Sequence, residues 1–148
     1  MSSTGLNTTD SLRRRPRSLM ATILLVDDES AVREVTREAL EMGGYRVLEA
    51  DGPTQAKHIA GDQSVIIDLL LTDLVMPGMS GHELARQVRA SRPELLTLFM
   101  TGYGENDVLC PATSGMAEKH IQKPFTVKGL LAHVAHALEA RWRIRDDR

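Results

Sequence analysis

The sequence predicts a single α/β domain, a parallel sheet of five strands wound on both faces by helices. Short apolar runs alternate with helix-period segments from Leu19 onward. Most of these runs are almost wholly apolar instead of alternating, as strands buried on both faces must be. The 148 residues, 42% hydrophobic and 26% charged, suit one soluble domain and leave little room for a second.

The elements follow in chain order. Residues 1–20 are rich in Ser, Thr and Arg with almost nothing apolar, so they cannot offset their ordering entropy and are expected to form a disordered basic segment. The folded unit is expected over residues 21–144, with 145–148 as a tail. Thr22–Val26 reads as the first strand. A helix follows over Ser30–Met42, with Ser30 as its cap and Val32, Val35, Ala39 and Leu40 as its buried stripe, and Gly43-Gly44 ends it. Tyr45–Ala50 is the second strand, Pro53–Ala60 a helix, and Ile66–Thr72 the third strand. Gly81–Ser91 is helical, Leu95–Thr101 the fourth strand, Glu105–Ser114 a helix and Lys119–Gln122 the fifth strand. Thr126–Ile144 carries the clearest helical period, in Val127, Leu130, Leu131, Val134 and Leu138. Right-handed crossovers and the need to cover both sheet faces make this a doubly wound, flavodoxin-like (βα)5 three-layer sandwich.

Charge narrows the function classes. The net charge is −2, but eight of the 18 basic residues lie in residues 1–20 and 141–148, leaving an acidic body between basic ends. Such a body argues against gripping nucleic acid with the folded surface and favours binding cations. Cys110 is the only cysteine, which excludes an internal disulfide and a cysteine-based zinc site and fits a reducing cytoplasm. The longest apolar run, Val65–Leu71, is broken by Asp68 and is too short to cross a bilayer. No secretory signal is evident.

Ligands of open parallel sheets bind outside the carboxyl ends of the strands. There the sequence places Asp27-Asp28-Glu29 after the first strand, Asp73 at the third, Thr101-Gly102 at the fourth and Lys123-Pro124 at the fifth. Carboxylates, a hydroxyl and an ammonium converge on one rim, and hard oxygen ligands at that density suit Mg²⁺. Taken singly, each has a plainer reading: Asp73 as a turn former, Asp27-Asp28-Glu29 as helix-start acids, Lys123 as an exposed charge. Their joint placement on one rim favours a site.

The Asp27-Asp28 pair, the run from Asp73 through Met76-Pro77-Gly78 to Gly81, Thr101-Gly102 and Lys123-Pro124-Phe125 together resemble the receiver domain of bacterial two-component response regulators, over about residues 20–140. The resemblance implies that Asp73 is the phosphoacceptor, charged from a phosphohistidine of a sensor histidine kinase or histidine phosphotransfer protein. It implies Mg²⁺ held by Asp28, Asp73 and the backbone carbonyl of Val75, with Asp27 acting through a water. Lys123 and Thr101 would contact phosphoryl oxygens, and Lys123-Pro124 would be a cis bond. The family is a signalling module, not an enzyme on outside substrates, and neither DNA nor membrane contact is expected of the domain.

Two features depart from that pattern. His120 stands where receivers carry Phe or Tyr, the ring that in the family moves with the Thr101 hydroxyl as a switch. Cys110-Pro111 interrupts the fourth helical segment, which predicts a short, kinked or displaced helix there. His58, His82, His133 and His136 show no paired ligand pattern and are expected in surface or packing roles. Few residues follow the last helix, so action through a downstream partner is expected, as a stand-alone receiver, a phosphorelay intermediate or a fragment of a hybrid histidine kinase. An Mg²⁺-dependent phosphatase with an Asp nucleophile is disfavoured, because Val75 holds the place where such enzymes need a second acid.

Overall fold

The computed structural model describes residues 21–102 and 119–146. The N-terminal segment, the helix predicted over Glu105–Ser114 and its Cys110-Pro111 break lie outside the described residues. The elements are β1 (Thr22–Val26), α1 (Ser30–Met42), β2 (Arg46–Ala50), α2 (Pro53–Gly61), β3 (Leu69–Asp73), α3 (Gly81–Ser91), β4 (Leu96–Thr101), β5 (Lys119–Gln122) and α4 (Val127–Asp146).

The strands form one parallel sheet in the order β2-β1-β3-β4-β5. Each strand residue points to the face opposite its neighbours, and both faces are apolar. Ile23, Leu25, Leu69, Leu71, Leu98 and Met100 pack with Ala39 and Leu40 of α1 and Leu130, Val134 and Leu138 of α4. Leu24, Val26, Leu70 and Phe99 pack on the other face with Ala56 and Ala60 of α2 and Leu84, Ala85 and Val88 of α3. Each leucine buried this completely contributes about 2 kcal/mol from its apolar surface.

The ends of the helices explain most of the differences from the sequence expectations. Ser30 does not cap α1: Glu29 holds the cap position with extended backbone, and no side chain caps the helix there. The α1 stripe is also rotated. Thr36 is buried while Val35 is 62% exposed, because the Thr36 hydroxyl donates to the Val32 carbonyl at 2.8 Å and so enters the core with its polar group satisfied. The run predicted to begin β3 at Ile66 pairs only from Leu69, and Ile66 is exposed. Asp68 accounts for this, since its carboxylate accepts the Thr22 N–H at 2.8 Å and its own N–H donates to the Thr22 carbonyl. In α4, Thr126 stands outside the helix and accepts the Gly129 N–H at 2.9 Å, leaving Val127 exposed and Leu131 half-buried. Gly43-Gly44 ends α1 as expected, with Gly44 at φ 93°.

Candidate functional site

The chain runs from β1 outward to β2 and then returns to place β3 on the other side of β1, so the strand order reverses between β1 and β3. A crevice at the carboxyl ends of such strands is where open α/β sheets bind ligands. Asp27 follows β1 and Asp73 ends β3, so both acids stand at this reversal.

The local chain explains how each group is held. Asp27 is fully buried, and its Oδ1 accepts the Glu29 N–H at 2.9 Å, turning the chain into α1. Its Oδ2 lies 3.7 Å from Lys123 Nζ, which is also 3.4 Å from Asp73 Oδ1. Lys123 is brought inward because its N–H donates to the Thr101 carbonyl at 2.7 Å, tying the loop after β5 across the end of β4. The Lys123-Pro124 peptide is cis, as the resemblance implied. Thr101 is buried at the end of β4, beside the pocket, whose wall is formed there by Gly102.

Above these groups opens a pocket of about 700 Å³. Asp28, Glu29, Asp73 and Lys123 supply its polar lining, and Ala31, Val32, Val35, Val75 and Phe125 its apolar lining. Carboxylate oxygens of Asp27, Glu29 and Asp73 lie within 4.8 Å of one another. The third member of this close group is therefore Glu29, while Asp28, the expected direct ligand, lines the pocket from an exposed position.

Among the described residues, the three carboxylates of this close group face one ammonium, a formal excess of two negative charges around two buried acids. That excess and the all-oxygen donors fit a divalent hard cation such as Mg²⁺. The titration shifts reflect the burial of the site more than repulsion between its acids. Burial pushes the Asp27 carboxyl above its usual range, against the lowering effects of the Glu29 N–H and of Lys123. Burial also works against the Lys123 ammonium, but the combined pull of Asp73, Asp27 and Glu29 outweighs it and leaves its pKa raised.

His120 lies outside the pocket, in a cluster of three rings. It stacks on Phe99 of β4 at 5.2 Å between centroids and meets His82 of α3 edge-on at 5.5 Å, while His82 and Phe99 are 4.4 Å apart. His82 thus takes a packing role, and His58, His133 and His136 are exposed.

Sequence reasoning missed two contributors. One is the close approach of the Glu29 carboxylate to Asp27 and Asp73; the sequence put Glu29 on this rim but not in the expected ligand set. The other is Gly81, the first residue of α3, where a Cβ would lie 2.4 Å from the Asp73 carbonyl oxygen. Only a glycine lets α3 start this close to the backbone of Asp73.

Comparison with known proteins agrees with this geometry. Residues 23–135 match the family profile of the response regulator receiver domain. The chain is 40% identical over 121 residues to the phosphate regulon transcriptional regulatory protein PhoB of Pseudomonas aeruginosa, covering 79% of this chain and 51% of that protein. It is 35% identical over 119 residues to the sensor kinase CckA of Brucella abortus, covering 80% of this chain and 13% of that protein. The chain thus spans about half or less of the length of these relatives. Among solved structures, a receiver domain protein from Clostridium thermocellum superposes with a TM-score of 0.75 at 29% identity, covering 84% of this chain and 98% of that one. The receiver domain of the hybrid histidine kinase CckA gives 0.66 at 31% identity, covering 80% and 99%. Receiver domains act in two-component signalling with histidine kinases or phosphotransfer proteins and bind Mg²⁺ at an acidic pocket. With an acidic pocket at its strand reversal and a family match over most of its length, this chain belongs to the response regulator receiver family.

Proposed function

We propose that Asp73 is the phosphoacceptor of this domain and takes its phosphoryl group from a phosphohistidine of a sensor histidine kinase or a phosphotransfer protein. The observation that carries the reading is the Asp73 carboxylate, nearly buried yet lining an open pocket, with Lys123 Nζ 3.4 Å from its Oδ1. In the transfer, the donor P–N bond breaks as a P–O bond to Asp73 forms, and the donor imidazole leaves with the bonding electron pair.

Each residue of the pocket has a part in that step. Asp27, Asp28, Glu29, Asp73 and the Val75 carbonyl are the groups that would hold Mg²⁺. The bound cation supplies charge neutralisation between an anionic nucleophile and an anionic phosphoryl group. Lys123, positively charged and already drawn toward Asp73, meets phosphoryl charge as it develops on one oxygen. Thr101 donates its hydroxyl to another, and its departure from the buried end of β4 is read by His120 in the neighbouring ring cluster. The domain catalyses only its own phosphorylation and dephosphorylation. It acts in the cytoplasm and passes its state to a downstream protein.

The apolar side of the pocket supports docking of a donor protein. Val35 and Val75 are exposed large apolar side chains at the mouth, at 62% and 45%, within reach of the acceptor. Similarity to the CckA receiver supports a second setting, in which this domain is the receiver of a hybrid kinase or a phosphorelay intermediate.

Incubation with acetyl phosphate and Mg²⁺, followed by intact mass measurement, tests the reading. One added phosphoryl group is expected in the wild type, and none in Asp73→Asn or without Mg²⁺. A wild type that stays unmodified while a control receiver is labelled overturns it. Sustained turnover of an unrelated phosphomonoester would point instead to a phosphatase.

A further inference from the structure

We infer that Arg33 is a positioning residue for the acidic pocket, acting through the peptide that joins Asp27 to Asp28; the inference rests on reading that pocket as the Mg²⁺ site. Arg33 lies in α1, and its side chain is 19% exposed. Its Nη1 donates to the Asp27 carbonyl oxygen at 2.7 Å, and its Nε to Glu49 Oε1 of β2 at 3.3 Å. The planar guanidinium presents its donors to both acceptors in a fixed fork, where an ammonium on a flexible stem is a rotatable point charge.

Glu49 has a second partner on its other oxygen, 3.0 Å from Nε of Arg37, one helical turn further along α1. Oε1 orients the Arg33 guanidinium independently of that pair, and the guanidinium fixes the Asp27 carbonyl. Asp27 is then held at both ends, by Arg33 at its carbonyl and by the Glu29 N–H at Oδ1. What remains is Oδ2, directed toward Lys123 at 3.7 Å. The carboxylates of Asp27, Glu29 and Asp73 repel one another within 4.8 Å, and a peptide free to rotate would relieve that repulsion by turning Asp27 and Asp28 away. Arg33 opposes that rotation without touching the cation.

Arg37 provides the control. It shares Glu49 with Arg33 and pairs with Glu41 at 3.0 Å, so its bonds run to side chains and not to the strand-end backbone. Mg²⁺ alone is titrated calorimetrically into the full chain as wild type, Arg33→Ala, Arg33→Lys and Arg37→Ala, with thermal unfolding followed in parallel. Arg33→Ala raises the Mg²⁺ Kd about tenfold, the effect of removing a group that orients a ligand. Arg33→Lys, which keeps a cation for the carbonyl but not the fork oriented by Glu49, recovers part of the affinity. Arg37→Ala lowers thermal stability as much as Arg33→Ala and leaves the Kd within about twofold. Both alanine variants fold, since Arg33→Ala loses one partly exposed ion pair with its carbonyl bond, Arg37→Ala two partly exposed ion pairs, and neither a buried apolar group. An unchanged Kd in Arg33→Ala, an equal rise in Arg37→Ala, or no recovery in Arg33→Lys overturns the inference. A wild type that takes up no Mg²⁺ overturns the metal reading itself and the inference with it.

Discussion

At the amino ends of the strands, the Asp68 carboxylate accepts the Thr22 N–H at 2.8 Å, and Arg92 donates to the carbonyls of Ala60 and Asp62 at 2.9 and 2.8 Å. At the carboxyl ends, Asp27, Glu29 and Asp73 crowd within 4.8 Å of one another around one ammonium. The first rim uses charged side chains to satisfy backbone groups, each bond holding two elements together. The second holds like charges together in a buried place, an arrangement that stabilises little without a cation and is useful only for chemistry. Substitutions at the two rims should therefore differ in sign as well as in size.

The largest contrast is steric. Gly81→Ala at the carboxyl rim puts a Cβ 2.4 Å from the Asp73 carbonyl oxygen and 3.1 Å from the Leu74 Cα. Neither is a flexible side chain, so the backbone of Asp73 must shift, at a cost of about 1–3 kcal/mol in urea unfolding and with reduced acetyl phosphate labelling. Gly61→Ala, at the end of α2, meets nothing within 4 Å. It should leave stability equal or higher by about 0.5 kcal/mol, with labelling unchanged. Equal losses in the two variants would break the contrast.

The next contrast is one of sign. Asp27→Asn removes a carboxylate that burial disfavours in its charged form while keeping an oxygen to accept the Glu29 N–H. It should raise unfolding stability by about 1 kcal/mol and weaken Mg²⁺ binding. Asp68→Ala removes the acceptor of the Thr22 N–H, so it should lower stability by about 1 kcal/mol and leave Mg²⁺ binding unchanged. Stabilities that move in the same direction would show that charge crowding at the carboxyl rim carries no strain.

How much of this was legible in the sequence depended on the kind of fact. The bounds of β1, α1, α3 and β5 coincide with those read from periodicity and breakers. The start of β3 did not, because the side chain of Asp68 binds a neighbouring strand that local sequence does not show. Nor did the burial of Thr36 in place of Val35, which depends on a hydroxyl satisfied within its own helix. In the site, Asp27, Asp73 and Lys123 were readable because strand-end position fixes where a residue stands. Glu29, Gly81 and Arg33 were not, because their parts depend on which way a side chain turns or how closely two backbones approach.

The smallest effect is graded, and it reads how the burial of Asp27 sets the two rims apart. Burial raises the Asp27 pKa above its ordinary value of 3.8. For folding, an acid whose pKa is raised in the native state opposes stability in its ionised form, and that opposition fades as pH falls through the raised pKa. For cation binding the sign is reversed, because Mg²⁺ needs the ionised carboxylate and must displace a proton once Asp27 is protonated. Lys123 has its pKa raised by its acidic neighbours, so it stays charged throughout this range and adds nothing to the slope. The Mg²⁺ Kd should therefore begin to rise on acidification at a higher pH than an ordinary aspartate ligand would cause. Asp27→Asn should flatten that dependence while weakening binding at every pH. Calorimetric titrations at a fixed ionic strength read both effects. A wild-type slope that persists in Asp27→Asn would show that Asp27 does not carry the displaced proton and that its burial is not the source of the pH dependence.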